Sequence, residues 1–266
     1  MTHPPSRKVA LITGASAGIG AVYADRLAAR GYDLILVARR ADRLQALCDR
    51  LAKAHGIQAE PIVADLGQAD DLARVEAILS TNDNLHVLVN NAGIARLGKV
   101  SQRSADDALS QIALNITALT RLTQAVVPRF IARNAGLIVN IGSVLGIHSL
   151  PISAVYSGTK AFVLHYSTGL QQELAGTQVK VQVVLPASTA TELWDLSGVP
   201  LAALNKDGLM TAEHMVDAAL AGLDQGETVT FPSVADAGLW DRYEAARSQL
   251  FAATQVGTPA PRYQVL

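Results

Sequence analysis

Short apolar runs alternate with longer amphipathic ones along almost the whole chain. KVALIT (8–13), DLILVA (33–38), AEPIVA (59–64), LHVLVN (85–90), LIVNIG (137–142) and VKVQVVL (179–185) lack the polar alternation of a strand with one wet face. They predict strands buried on both faces of a parallel sheet. Between them apolar positions recur at helical spacing, as in Leu44, Leu47 and Leu51, or Ile112, Ile116, Leu119 and Leu122. Strands alternating with helices predict right-handed crossovers and a Rossmann-type, doubly wound α/β fold with helices on both faces of the sheet. After Leu185 the rhythm changes: residues 186–210 mix Pro, Gly, Ser and Thr with apolar residues, Trp194 among them. A helix from about Thr211, a short strand at TVTF (228–231) and a helical stretch from about Val234 follow. No repeat or linker divides the pattern, which predicts a single domain over residues 1–266 with a loop-rich substrate segment at about 187–210.

Composition narrows the class. Of 266 residues 50% are hydrophobic and 17% charged, enough apolar material for one large core, and the net charge is −1. A binder of nucleic-acid backbone would need a basic face, and none is expected here. The single cysteine, Cys48, excludes an internal disulfide and falls on a helical stretch, where a buried structural thiol is expected. No run reaches the ~18 apolar residues of a membrane span, and MTHPPSRK lacks the apolar core of a signal peptide. A cytoplasmic protein is expected. No cysteine or histidine pair stands at ligand spacing, so no metal is expected.

The first strand runs into TGASAGIG (13–20), and an amphipathic helix from about Ile19 to Arg30 follows. Gly14, Gly18 and Gly20 would allow a tight turn, close approach to a phosphate and close helix–strand packing; Ser16, Ala17 and Ile19 complete the loop. The helix N-terminus supplies amides and a positive dipole end for a pyrophosphate. After the second strand an NAD site wants an acidic residue for the ribose 2′-hydroxyl. This chain has Ala38 there, then Arg39 and Arg40. Such a fork suits a 2′-phosphate, so the expected cofactor is NADP(H), with Arg39 as the residue that reads it. Asp65, ending the third strand, would accept from the adenine amine or cap the next helix.

NNAG at 90–93 closes the fourth strand, Asn115 lies in the long helix beyond, Ser143 ends the fifth strand, and Tyr156 and Lys160 stand in AVYSGTK at the start of the next helix. In that order and context they resemble the short-chain dehydrogenase/reductase family, over roughly residues 7 to 232. The resemblance implies a sheet ordered 3-2-1-4-5-6-7, a pyrophosphate on the glycine loop, and Asn91, Ala92 and Gly93 steadying the sheet beside it. It implies a catalytic tetrad of Asn115, Ser143, Tyr156 and Lys160, with Asn115 placing a water and with Tyr156 and Lys160 also touching the cofactor. Pro186, Thr189 and Thr191 would meet the cofactor from the loop after the sixth strand, where Ala187 replaces the usual glycine. Homodimers or homotetramers built on the helix of Asn115 and the helix near Ser153 are implied as well. Ala108, Ile112 and Leu119 add apolar surface there.

The chemistry follows from the residue types. A free phenol has a pKa of about 10, too high to exchange protons readily near neutrality. An ammonium four residues along the same helix face, together with an oxidised nicotinamide, would favour phenolate. Tyr156 then serves as acid in carbonyl reduction and base in alcohol oxidation, Ser143 steadies the carbonyl oxygen, and Lys160 holds the nicotinamide ribose. Residues 95–100, 144–154 and 187–210 would line a largely apolar pocket, which suggests a hydrophobic ketone or aldehyde. An NAD-dependent alcohol dehydrogenase and an inactive dinucleotide-binding sensor are the alternatives; Ala38 disfavours the first and the intact tetrad the second. His148 is expected in an exposed loop and His165 at a packing or solvent position. Trp194 reads as part of a lid or as a plug at the core edge. Gly158, between Tyr156 and Lys160, would let a neighbour approach closely.

Overall fold

The computed structural model describes residues 7–263. Its apolar runs form strands β1 Val9–Thr13, β2 Asp33–Ala38, β3 Ala59–Val63, β4 Leu85–Asn90, β5 Gly136–Ile141 and β6 Val179–Val184. Two short strands, β7 Thr189–Ala190 and β8 Met210–Thr211, pair only with each other, and β9 is Val229–Thr230. The main sheet is parallel in the order β3-β2-β1-β4-β5-β6-β9. This is the order the family resemblance implies, with β9 in seventh place.

Alternate side chains of each strand feed two helical layers. Ala10, Ile12, Leu34, Leu36, Val87 and Val89 pack with Tyr23 and Leu27 of α1 (Gly18–Ala29), Leu44 and Leu51 of α2 (Ala41–His55), and Met215 and Leu220 of α7 (Ala212–Asp224). Leu11, Ile35, Val37, Leu88 and Ile138 point the other way, onto Leu72 and Val75 of α3 (Ala69–Thr81), Val126 and Phe130 of α5 (Leu119–Ala132) and Leu170 of α6 (Ala154–Glu173). Two buried faces explain the unbroken apolar runs. β3 departs from that expectation. It is an edge strand with Val63 43% exposed, and edges tolerate Pro61, which has no ladder donor.

The predicted long helix around Asn115 is interrupted. α4 (Ala105–Ile112) passes through a π-helical turn, Ala113–Ala118, before α5 begins. Such widened turns often mark functional sites, and Asn115 sits inside this one. At β1 the sheet turns from β2 on one side to β4 on the other. This is the topological switch point, where the carboxyl ends of the strands open a crevice.

The described chain falls into two compact units, residues 7–232 and residues 233–263. The second carries α8, Gly238–Ala253, on which no residue is buried and Trp240 stacks on Tyr243. Among the described residues no helix is long and apolar enough to cross a membrane.

Candidate active site

The glycine loop and the Asn-Asn-Ala-Gly turn face each other across the switch point and are bolted together. Thr13 Oγ1 accepts from the amides of Asn91 and Ala92, both at 3.0 Å, while Asn91 Nδ2 donates to the carbonyls of Thr13 (2.9 Å) and Gly14 (3.2 Å). Gly14 and Gly18 adopt left-handed backbone, φ +67° and +53°, where a side chain is strained. A Cβ on Gly20 would lie 2.5 Å from the Gly14 carbonyl and from Asn91 Nδ2. Gly20→Ala must therefore move backbone, and we expect it to destabilise the fold by about 1–3 kcal/mol, measurable by denaturant unfolding. Ala17 stands at the N-cap of α1 with no side-chain cap, and the first turn carries no acid. Its leading amides and dipole therefore suit a pyrophosphate.

Beyond β2 there is no carboxylate at Ala38. Arg39 is 63% exposed, with Nη1 3.9 Å from Asp65 Oδ2. Asp65 Oδ1 accepts from the Gly67 amide at 3.0 Å, and the N-cap of α3 is Gln68, so the helix-capping reading of Asp65 falls away. Arg40 turns inward: its Nε and Nη2 donate to Ser16 Oγ of the glycine loop at 3.2 and 3.0 Å, and its Nη1 donates to Glu192. Arg43 reaches the same carboxylate. Sequence reasoning had Arg40 but missed Arg43 and Glu192. The signal for Arg43 was its place three residues after Arg40, on the same face of the first turn of α2.

The four tetrad residues come from three elements and meet. Tyr156 and Lys160 open α6, Ser143 follows β5, and Asn115 comes from the π turn. Lys160, 7% exposed, holds its Nζ 5.7 Å from the Tyr156 ring centroid and donates to the Ile141 carbonyl at 2.8 Å. The Tyr156 hydroxyl stands beside Ser143, whose Oγ accepts from the Leu145 amide at 3.1 Å. Gly93 lies against both other members, since a Cβ there would stand 3.2 Å from Asn115 Oδ1 and 3.7 Å from Lys160 Nζ.

Tyr156 keeps some surface exposure, yet desolvation pushes its phenol up to about 12, an effect that Ser143 opposes in part. The same effect pushes the Lys160 ammonium down to about 8. In the chain alone, burial outweighs the lysine, and the phenol is not drawn down. Both amide hydrogens of Asn115 are engaged, Nδ2 donating to the Ile94 carbonyl (2.9 Å) and Thr159 Oγ1 (3.1 Å), while Oδ1 accepts from the Ile94 amide (2.9 Å). Thr159 Oγ1 in turn donates to the Tyr156 carbonyl at 2.8 Å. The amide of Asn115 pins the segment after β4 to α6.

The loop after β6 lies over the glycine loop. The Pro186 carbonyl accepts from the Val144 amide at 3.0 Å, Thr189 is buried, and a Cβ on Gly18 would meet Thr191 Cγ2 at 3.0 Å. Among the described residues Asn134 is the one non-glycine with positive φ, so Ala187 carries no backbone strain in place of the usual glycine. Trp194 donates from Nε1 to the Thr189 carbonyl at 2.8 Å and folds back on its own loop. Farther along, Leu97 N donates to Ser197 O at 2.6 Å, and the guanidinium of Arg103 binds both the Leu97 and Ser197 carbonyls. A cavity of about 270 Å³ beside this clamp is lined by Val100, Ile152 and Val155, but also by Arg96, Arg103 and Asp107. Its lining surface is mainly apolar. A larger recess, about 900 Å³, lies at the amino ends of β1, β2 and β3, away from the tetrad.

Of the remaining candidates, His148 and His165 are exposed. Gly158 has nothing within 4 Å, so no close approach explains it. Cys48 is buried, its thiol pushed up to about 11 by desolvation. Among the described residues no group of His, Cys, Asp or Glu could hold a metal ion.

Fold and site together define a doubly wound α/β protein with a dinucleotide crevice and a tyrosine–lysine pair at its edge. The family model for short chain dehydrogenases matches residues 8–198, and the chain belongs to that family. It is 34% identical over 197 residues to very-long-chain 3-oxoacyl-CoA reductase-A of Danio rerio, covering 73% of this chain and 61% of that protein. The chain thus spans about three fifths of that relative's length. A solved short-chain dehydrogenase from Sphingobium yanoikuyae in complex with NADPH superposes with a TM-score of 0.93 at 45% identity, over 96% of this chain and all of that one. A bulky-bulky ketone specific alcohol dehydrogenase from Comamonas testosteroni superposes with a TM-score of 0.88 at 40% identity, over 97% and 99% of the two chains.

Proposed function

We propose that this protein is an NADPH-dependent reductase of a hydrophobic ketone or aldehyde. The observation that carries the reading is the convergence of Ser143, Tyr156 and buried Lys160, whose Nζ lies 5.7 Å from the Tyr156 ring, at the carboxyl edge of the switch-point crevice. When bound, the cofactor supplies the hydride. The chain supplies the rest. Tyr156, protonated to about pH 12, holds the proton that the product oxygen needs, and Ser143 shares that oxygen's developing charge. Lys160 keeps a positive charge beside them at neutral pH. Gly14, Ser16, Ala17, Gly18, Ile19 and Gly20 would seat the pyrophosphate, and Arg39 and Arg40 the 2′-phosphate. Asn91, Ala92, Gly93, Pro186, Thr189 and Thr191 would frame the nicotinamide half, with Asp65 toward the adenine. The NADPH complex of the Sphingobium yanoikuyae relative supports the cofactor, and the name of the Comamonas testosteroni relative supports the substrate class.

The test is NADPH consumption by the purified protein against a panel of ketones with bulky groups on both sides, aliphatic aldehydes and 3-oxoacyl thioesters. Turnover of at least one hydrophobic carbonyl is expected. No consumption with any of them, or a preference for NADH, would overturn the reading.

We also propose a homodimer or homotetramer built across α4, α5 and α6. Leu109 and Ile112 of α4 are 60% and 40% exposed, whereas Leu119 is buried. A monomeric mass by light scattering at micromolar concentration would refute this.

A further inference from the structure

The fork that would read the 2′-phosphate already holds an anion of the chain's own. Glu192 Oε2 accepts from Arg40 Nη1 at 2.5 Å and Oε1 from Arg43 Nη1 at 2.6 Å. Arg40 spends its other donors on Ser16 Oγ, so an unbroken path of contacts runs from the glycine loop through the first turn of α2 to Glu192. Glu192 directly follows Thr191, whose methyl lies against Gly18, and it opens the short 3₁₀ turn Glu192–Leu196 that carries Trp194. The two arginines hold the Glu192 carboxyl below the usual carboxylate range, so it is charged at neutral pH.

Geometry and charge make this contact a competitor. Two guanidinium groups, each giving one N–H to a different oxygen of one anion, form the arrangement that also fits a phosphomonoester. Three arginines, Arg39, Arg40 and Arg43, here face two carboxylates, Asp65 and Glu192. That leaves too little positive charge for a phosphate carrying about −1.5 to −2. The side chains of Arg40, Arg43 and Glu192 are 43%, 52% and 46% exposed. Ion pairs so wet are weak and exchangeable.

We propose that Glu192 is a specificity-determining residue for the cofactor: its carboxylate fills the Arg40–Arg43 fork in place of the 2′-phosphate of NADPH, and the phosphate displaces it, releasing the turn at 192–196. The inference rests on the NADPH reading above. NADH carries no group to displace Glu192 and leaves the turn tied down. Glu192→Gln keeps the shape of the side chain and removes its charge, so NADPH should gain and NADH should not.

Equilibrium titration of the purified, full-length chain tests this without substrate. For Glu192→Gln the Kd of NADPH should fall roughly three- to tenfold, with that of NADH changing less than about twofold. In a Trp240→Phe background, where Trp194 is the remaining tryptophan, 2′,5′-ADP should shift the tryptophan emission and 5′-AMP should not. An unchanged or weakened NADPH affinity in Glu192→Gln would overturn the proposal and make Glu192 indifferent or an organiser of the arginines. Equal emission responses to the two nucleotides would overturn it as well. Failure of the cofactor reading looks different: the wild-type chain would then bind NADPH no more tightly than NADH.

Discussion

Tyr156→Phe should lower kcat for carbonyl reduction by roughly 10²–10⁴, the usual worth of a placed general acid, while NADPH affinity stays within a few-fold. The ring and its packing survive the change. What is lost is the hydroxyl beside Ser143, the group positioned to protonate the product oxygen. The pH profile separates its role from that of Lys160. In the free enzyme the phenol keeps its proton up to about 12, so it contributes no falling limb near neutrality. Lys160, pushed down to about 8, does. As pH rises through that value the ammonium is lost, and kcat/KM for NADPH, which reports the free enzyme, should fall tenfold per unit. Lys160→Met should abolish that limb and weaken cofactor binding. Steady-state rates from pH 6 to 10 and a fluorescence titration decide the matter. Retention of most reductase activity by Tyr156→Phe, with NADPH still bound, would leave the mechanism without its acid.

Burial of Lys160 also enters stability, with a definite sign. Its pKa is near 10.5 unfolded and about 8 folded. Between those values the unfolded chain binds more protons, so this group makes stability rise with pH across that window. Relative to Lys160→Met, the wild-type chain should therefore be least favoured below pH 8. Its deficit should shrink toward pH 10. Thermal unfolding of the two proteins across that range measures the difference.

How much of this was legible in the sequence depends on the range of the forces involved. Runs such as DLILVA state that both faces of a strand are covered, because burial of neighbouring residues is a local pattern. The tetrad was legible through its resemblance to the family's motifs; spacing alone put only Tyr156 and Lys160 on one helix face. Glu192 was not. It lies in the aperiodic segment 187–210, and its partners Arg40 and Arg43 are about 150 residues away, so only the folded chain brings them together. The π turn at Ala113–Ala118 adds no apolar signature of its own, and the sequence reads through it as one helix. Spacing reveals the charge of Lys160 but not the desolvation that both it and Tyr156 suffer in the chain alone. AEPIVA looks like a core strand, yet strand order, a global property, puts β3 at the edge.

Cofactor choice should then follow the same fork. We expect kcat/KM with NADPH to exceed that with NADH at least tenfold, equivalent to about 1.4 kcal/mol, which one charge-assisted hydrogen bond to a phosphate can supply. Arg39 and Arg40, at the end of β2, would share this work with Arg43. Arg39, mostly exposed and loosely paired with Asp65, is free to turn toward the ribose. Arg40 is already aligned by Ser16. Arg39→Ala and Arg40→Ala should each raise the KM for NADPH far more than that for NADH, and Arg40→Ala should add a smaller loss with both cofactors, because it also unties the glycine loop that seats the pyrophosphate. Ala38→Asp is the sharper test. The residue ends β2 at 8% exposure, so an aspartate there would accept from a 2′-hydroxyl and repel a 2′-phosphate. Repulsion and gain act in the same direction, and the preference should move by about 10²-fold or more toward NADH. Steady-state kinetics with both nucleotides measure it. Equal losses with both cofactors in the arginine variants, together with an unmoved preference in Ala38→Asp, would place the discriminating contact somewhere other than the end of β2.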